Sequence, residues 1–325
     1  MANSNILMTY VQCNELTPIN ASLEVLSKAV ELGKENGLEV VALLIGKFDE
    51  TTEKTCRDYG AAKIIEIEQE AYNIQSYGEI LVQLTEKYVP MAILSGATPE
   101  GKEIMAYASS KLDTAAITNV SEIRLQDGLE FTITLYGGAV LRDIVVNSEK
   151  TKFVVFNSGA CKKLLASVET AEIVKENFAD AAKDLRTIIK ESVTEIAESV
   201  NLEEAEIIVA CGRGMATEEG MKLVKDLAEL LGGVIGATRP VTESGLVART
   251  QQVGQSGKIV SPKLYVGCGV SGAVQHVSGI LGSDYIVAIN KDEDAPIFDV
   301  ADVGIVGDGM SILPMLMEEI KKAKA

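Results

Sequence analysis

Apolar and polar positions follow two different rhythms along this chain. Residues 6–11 form an apolar run of strand length. Over 21–36, Leu23, Leu26, Val30 and Gly33 recur at helical spacing, and Gly37 supplies a stop. Residues 40–45 are continuously apolar, the pattern of a strand buried on both faces. A helix over 51–59, a strand over 63–67, a helix over 76–88 and a strand over 91–94 follow. A turn over 95–101 then leads into a helix over 102–111. This βα alternation predicts a parallel sheet with helices on both faces.

The rhythm then changes. Apolar segments at 120–125, 129–136 and 140–146 are separated by short turns with no helix between them, and 152–156 and 171–174 extend the series. They are expected to be antiparallel strands appended to the sheet. Residues 181–202 are acidic and weakly amphipathic, which fits a linker or bridging helix. A domain boundary near 200 gives domains over 1–200 and 201–325. The second restarts the α/β pattern with a strand over 206–210 that ends at Cys211-Gly-Arg-Gly-Met215. Thr217 is placed to cap a helix over 218–231, with Glu218 and Glu219 at its positive end. There follow a strand over 233–236, a polar Gly-rich loop over 238–258, and a strand over 264–266. A helix over 272–281, strands over 285–289 and 303–306, and a helix over 310–322 complete the series. The fold class is α/β with two domains: an N-terminal parallel-sheet domain with appended antiparallel strands, and a C-terminal doubly wound domain.

Composition narrows the function classes. The 325 residues favour two domains, and 47% hydrophobic with 24% charged residues is globular. A net charge of −17 with no basic stripe argues against nucleic-acid binding. No apolar stretch approaches membrane-spanning length. The five cysteines, Cys13, Cys56, Cys161, Cys211 and Cys268, fall in no metal-ligand spacing, and there is one histidine, so no metal site is expected. Scattered thiols and an N-terminus without a basic, apolar leader suit a cytoplasmic protein.

The most informative stretch is Leu264 to His276, where an apolar run meets Gly267-x-Gly269-x-x-Gly272. A strand, this spacing and a following helix mark a dinucleotide pyrophosphate site, because glycines admit close backbone approach and a helix start offers free N–H groups. The same glycines equally fit a plain tight turn. A second Gly/Gln loop, Gln252 to Lys258, lies just upstream. Arg213, Thr238, Arg239, Ser271, Asn290 and Asp308 each follow an apolar run, which in a parallel sheet places them on one edge. Asn290 lies roughly 20 residues past the glycines, where an NAD site places an acidic ribose reader. Being amidic, it speaks against plain NAD binding. The arginines also fit surface ion pairs, His276 a satisfied structural histidine, Asp308 a helix cap, and the turn from Gly96 to Gly101 an ordinary βα connection. No catalytic triad, carboxylate pair or phosphate-loop lysine is present, so any chemistry falls to a cofactor.

These residues, read as Arg239-Pro-Val, Gln252-Val-Gly-Gln-Ser-Gly-Lys-Ile-Val-Ser-Pro-Lys-Leu-Tyr265, Val270-Ser-Gly-Ala-Val-Gln-His276, Ala288-Ile-Asn-Lys-Asp292 and Ala295-Pro-Ile-Phe298, resemble the alpha subunit of electron-transfer flavoprotein. The likeness is dense over 206–320. It implies an FAD-binding C-terminal domain, a beta subunit, and electron exchange with an acyl-CoA dehydrogenase type flavoenzyme. It implies no catalytic residue and an N-terminal domain that serves the subunit interface without a cofactor. By the same resemblance Arg239 lies beside the flavin ring, the Ser256 hydroxyl approaches N5 and His276 approaches the N1/C2 edge. Arg213, Thr238, Gln255, Ser271, Gly272, Gln275, Asn290 and Asp308 would hold the ribityl, pyrophosphate and adenosine parts. Val253, Gly254, Gly257, Ala273, Val274 and Gly309 complete the implied lining. Ser256 stands where threonine is common, Thr238 where serine is, and Gly309 where leucine is. An electron-bifurcating, NADH-dependent complex is one variant of this reading. The rivals are an NAD-dependent dehydrogenase and an adenine-nucleotide-binding regulator.

Overall fold

The computed structural model describes residues 5–178 and 202–324, and the chain divides into two compact units, Met1–Val193 and Thr194–Ala325. The expected linker or bridging helix over 181–202 lies, Leu202 apart, outside the described residues. In the N-terminal unit, β1 (Ile6–Tyr10) is followed by a two-residue hairpin, β2 (Cys13–Asn14) and β3 (Thr17–Pro18). Next come α1 (Asn20–Asn36), β4 (Glu39–Gly46), α2 (Glu50–Asp58), β5 (Lys63–Glu68), α3 (Ile74–Tyr88), β6 (Ala92–Gly96) and α4 (Pro99–Lys111). Local chemistry sets the boundaries. Gly37 ends α1 in the left-handed region at φ 67°, and Asp49 opens α2 with a reciprocal capping box through Thr52.

The unit continues with β7 (Ala116–Leu125), β8 (Leu129–Leu135), β9 (Val140–Val145), β10 (Lys152–Phe156) and β11 (Glu172–Lys175). One nine-stranded sheet results, in the order β11-β5-β4-β1-β6-β10-β7-β8-β9. β7, β8 and β9 pair antiparallel as expected. The last two strands do not. β10 slots between β6 and β7 parallel to both, and β11 pairs parallel with β5 at the far edge. For β10 the reason is burial. Phe153 and Val155 pack in the cluster under α3 and α4, while Val154 and Phe156 pack in the cluster on the opposite face. A short segment apolar on both faces is a central parallel strand.

The C-terminal unit contains β12 (Ile207–Cys211), α5 (Glu218–Leu231), β13 (Val234–Ala237), α6 (Arg239–Glu243) and β14 (Leu264–Cys268). It ends with α7 (Val274–Val277), β15 (Ile286–Asn290), β16 (Val303–Val306) and α8 (Gly309–Lys324). All five strands are parallel, in the order β13-β12-β14-β15-β16. The strand order reverses between β12 and β14, which makes their carboxyl ends the place where such sheets bind ligands. One face is covered by α5 and α8 through Val224, Leu227 and Leu313. The other is covered mainly by irregular chain, through Val253, Val260, Val270, Ile280 and Ile297.

Two local expectations change here. The expected helix over 272–281 is a single turn, because Gly272 sits at φ 85° with its α-carbon pressed on Ile297, and Gly279 lies against Gly254. The long loop after β13 begins with the short helix α6, whose first position is Arg239 and second is Pro240.

Candidate functional site

The sheet register brings the strand ends of the C-terminal unit together. Cys211 pairs with Ala237 on one side and with Cys268 on the other, Cys268 pairs with Ile289, and Asn290 with Val306. Thr238, Arg213, Ser271, Asn290 and Asp308 therefore emerge from one edge. At its centre the turns after β12 and β14 are laced backbone to backbone: Gly212 N–H donates to Cys268 O at 2.8 Å and Gly214 N–H to Gly269 O at 3.1 Å. A β-carbon on Gly212 would come within 2.2 Å of Gly269 O, so this contact requires glycine. Of the fingerprint glycines, Gly267 makes room for the Tyr265 ring, while Gly269 and Gly272 adopt positive φ against neighbouring backbone. Their first duty is to let two turns and a third segment touch.

That packing leaves donors open. None of the N–H groups of Val270, Ser271, Gly272, Ala273, Val274 and Gln275 donates to another group among the described residues. Consecutive unspent N–H groups at a sheet switch point form an anion-binding surface. Beside them, at the end of β13, the Thr238 hydroxyl is buried and has no hydrogen-bond partner among the described residues. Such a group normally has one.

The loop over 252–258 is fastened at several points. Val253 N–H donates to Ala237 O at 2.9 Å, Gln255 N–H to Gln275 O at 2.7 Å, and Val260 N–H to Gly279 O at 2.9 Å. Gly254, at φ 128°, lies directly on the Gln275 carbonyl. Gly257 lies against the Gln252 carbonyl. The Gln252 side chain is buried and joins two elements: its Oε1 accepts from Thr242 Oγ1 at 2.9 Å and its Nε2 donates to Ser256 Oγ at 2.9 Å. An amide N–H can only donate, so Ser256 accepts there and keeps its own proton for an outward donation. Gln252, Thr242 and Tyr265 carry weight in the site that the sequence reading missed. A polar Gln held immediately before an apolar Val-Gly pair was the available signal.

The remaining residues divide. Arg213 is exposed on a 3₁₀ turn over Arg213–Met215. Arg239 is exposed and lies 2.7 Å from Glu243, one helical turn on. Such a pair contributes little to stability, about 0.3–0.5 kcal/mol. Ser256, Gln255, Ser271, Ala273, Val274 and Gln275 are exposed along the edge. Asn290 is spent locally: its Nδ2 donates to Val270 O at 2.7 Å and its Oδ1 accepts from Asp292 N–H at 3.0 Å. It thus shapes the Val270 turn. Asp308 accepts from Met310 N–H at 3.1 Å as a helix cap, and Gly309 packs against Met215. His276 is 7% exposed, with Nε2 2.7 Å from the Tyr265 hydroxyl and Nδ1 3.1 Å from Val253 O. Burial pushes its pKa down to about 4.

Residues 201–281 match the family model described as the electron transfer flavoprotein FAD-binding domain, and residues 10–181 match the electron transfer flavoprotein domain. The chain is 36% identical over 312 residues to the electron transfer flavoprotein subunit alpha of Thermoanaerobacterium thermosaccharolyticum, covering 94% of each chain. It is 35% identical to that of Bacillus subtilis over 291 residues, covering 87% of this chain and 88% of the relative. It is also 33% identical over 340 residues to the acryloyl-CoA reductase electron transfer subunit beta of Anaerotignum propionicum, covering 94% and 93%.

Proposed function

The chain belongs to the electron transfer flavoprotein family as an alpha subunit with an FAD-binding domain, and from that premise we propose how its residues serve that role. FAD lies along the open strand edge of the C-terminal unit, and the protein relays electrons between an acyl-CoA dehydrogenase type flavoenzyme and a second redox partner. The observation that carries this reading is the run of unspent N–H groups from Val270 to Gln275 at the β12/β14 switch point. It suits a pyrophosphate. The orphaned Thr238 hydroxyl, the outward Ser256 hydroxyl and the exposed Arg213 and Arg239 add the polar groups that a large anionic cofactor needs. When bound, FAD supplies the electron acceptor and donor. The chain supplies the anion cradle, a guanidinium in Arg239 that favours the negatively charged reduced ring, and a hydroxyl in Ser256. Asn290 and Asp308 act on this surface indirectly, by fixing the Val270 turn and the start of α8.

The N-terminal unit takes the beta subunit. Its free edge strand β9 and the turn before it expose Tyr136 (81%), Leu141 (65%) and Val145 (61%), an apolar edge of the kind that a partner covers. Among the described residues no helix is long and apolar enough to cross a membrane.

The test is the visible spectrum and flavin content of the complex purified with its beta subunit. A flavin spectrum that is weakened or lost in Arg213→Ala and Ser271→Pro supports the cradle. A spectrum and FAD affinity indifferent to both place the cofactor elsewhere. Two FAD per heterodimer would mark a bifurcating assembly, and one would mark a simple relay.

A further inference from the structure

We propose that Tyr265 is a positioning residue: its hydroxyl donates to His276 and fixes the plane of the ring, and His276 clamps the Val253 carbonyl and thereby sets the loop that carries Gln255 and Ser256. Tyr265 stands on β14, fully buried, and Gly267 leaves the space beside its ring. Its hydroxyl meets His276 Nε2 at 2.7 Å, and Nδ1 meets Val253 O at 3.1 Å. A carbonyl only accepts, so Nδ1 carries the proton. Nε2 of a neutral imidazole is then the acceptor, and the tyrosine must donate to it. The loop's carbonyl sets the tautomer, and the tyrosine on β14 then holds the ring in the plane that reaches that carbonyl.

The clamp sits where the loop has its closest approach. Gly254 and Gly279 are in backbone contact, and Gln255 N–H bonds to Gln275 O one residue before the histidine. A ring turned over about its Cβ–Cγ bond would put carbon atoms where Nδ1 and Nε2 now sit, losing both hydrogen bonds and the hold on the Val253 carbonyl. With both nitrogens engaged and burial favouring the neutral form, the ring has one arrangement. The consequence for FAD rests on the reading given above, but the hydrogen-bond chain does not.

The single histidine makes the test direct. The complex is prepared with ¹⁵N-histidine in this chain and an unlabelled beta subunit, and the imidazole nitrogens are read by NMR. The expected result is a protonated Nδ1 and a bare Nε2. Tyr265→Phe should move the Nε2 signal while Nδ1 keeps its proton, and raise the Kd for FAD about tenfold. In a His276→Asn background, where an amide replaces Nδ1, Tyr265→Phe should change that Kd by less than about twofold, because its effect runs through the histidine. A proton on Nε2 in the native complex overturns the proposal, as do imidazole signals unmoved by Tyr265→Phe. So does an equal penalty in both backgrounds, which would mean that the tyrosine acts by packing alone. A colourless complex with the expected nitrogen signals would refute the FAD placement and leave the clamp standing.

Discussion

The carboxyl end of β6 in the N-terminal unit and that of β14 in the C-terminal unit are equivalent places in the parallel parts of two sheets, and they are finished in opposite ways. After β6 the turn is closed by its own side chains. Thr98 caps α4 by accepting from Gly101 N–H and donates to Gln12, Ser95 bonds to Gly96 O, and the Tyr10 hydroxyl donates to the Glu100 carboxylate. A carboxylate already occupies the helix start where an anion would sit, and burial pushes its pKa upward. After β14 the helix is cut to one turn, and among the described residues the N–H groups stay unspent and a neighbouring hydroxyl has no partner. The same sheet logic thus gives one closed edge and one open edge. Topology decides where a ligand site can be, and the turn residues decide whether there is one.

The largest expected effect sharpens this contrast with two glycines. Gly272→Ala forces a positive φ on alanine and drives its β-carbon to 2.2 Å from the Ile297 backbone nitrogen. It should cost about 3 kcal/mol or more and abolish FAD retention. Gly101→Ala meets Ser95 Oγ at 2.3 Å and the Gly96 carbonyl at 2.6 Å, so it should also destabilise its unit. FAD binding per folded molecule should stay unchanged. Urea titrations with flavin absorbance as a second readout separate the two. FAD loss in both variants would break the comparison.

The two units should also answer pH with opposite signs. His276 has a folded pKa of about 4, below its unfolded value, so the unfolded chain binds more protons between the two. The C-terminal unit is then at full stability above about pH 6.5 and loses up to about 3 kcal/mol as pH falls toward 4. Glu66 on β5 is buried, and burial together with the nearby Glu53 carboxylate pushes its pKa up to about 7. Its contribution is intact below about pH 4.5 and is lost as pH rises through 7. Hydrogen exchange resolved by peptide, from pH 4.5 to 7, should show opposite trends for peptides of β5 and β14. His276→Asn and Glu66→Gln should each flatten one trend only.

Next in size is the proposed partner surface. Leu141→Glu places a charge on the exposed apolar edge of β9. It should weaken the heterodimer about 100-fold, while the chain's own stability shifts by less than about 0.5 kcal/mol. Equilibrium sedimentation measures the first and thermal unfolding the second. A charge on the C-terminal edge, such as Val306→Glu, should leave dimer affinity alone.

Much of this was legible in the chain because burial writes itself as pattern. The run over 40–45, the helix ended by Gly37 and the Thr217 cap of α5 all appear where periodicity and capping place them. The edge residues Arg213, Thr238, Ser271 and Asn290 were legible too, since each follows an apolar run. What misled was pattern that serves two masters. The antiparallel hairpins over 116–145 suggested that Lys152–Phe156 would continue them, although a both-faces apolar run is a central strand. The glycine fingerprint suggested a full helix after Gly272, but glycine spacing cannot tell phosphate approach from backbone contact. Nor does a lone histidine announce its tyrosine, because β14 and α7 meet only in three dimensions.

The smallest effect isolates chemistry from folding. Arg239 sits at the first position of α6, exposed and ion-paired with Glu243. Removing an exposed pair of this kind changes stability by less than about 0.5 kcal/mol. If its guanidinium faces the flavin, its loss instead penalises the reduced, negatively charged ring over the oxidised one. Arg239→Ala should therefore lower the two-electron potential by on the order of 30 mV, equivalent to about 1.4 kcal/mol, with unchanged urea stability. Glu243→Gln should move the potential the other way by less, because the carboxylate draws the guanidinium aside and offsets its charge. Spectroelectrochemistry of the three complexes decides the matter. A potential unmoved by Arg239→Ala would put the ring away from α6 and shift the open edge's chemistry toward the turns after β12 and β14. A lowered potential with intact folding would show that the exposed arginine, redundant for the unit's architecture, is held at this edge for its charge.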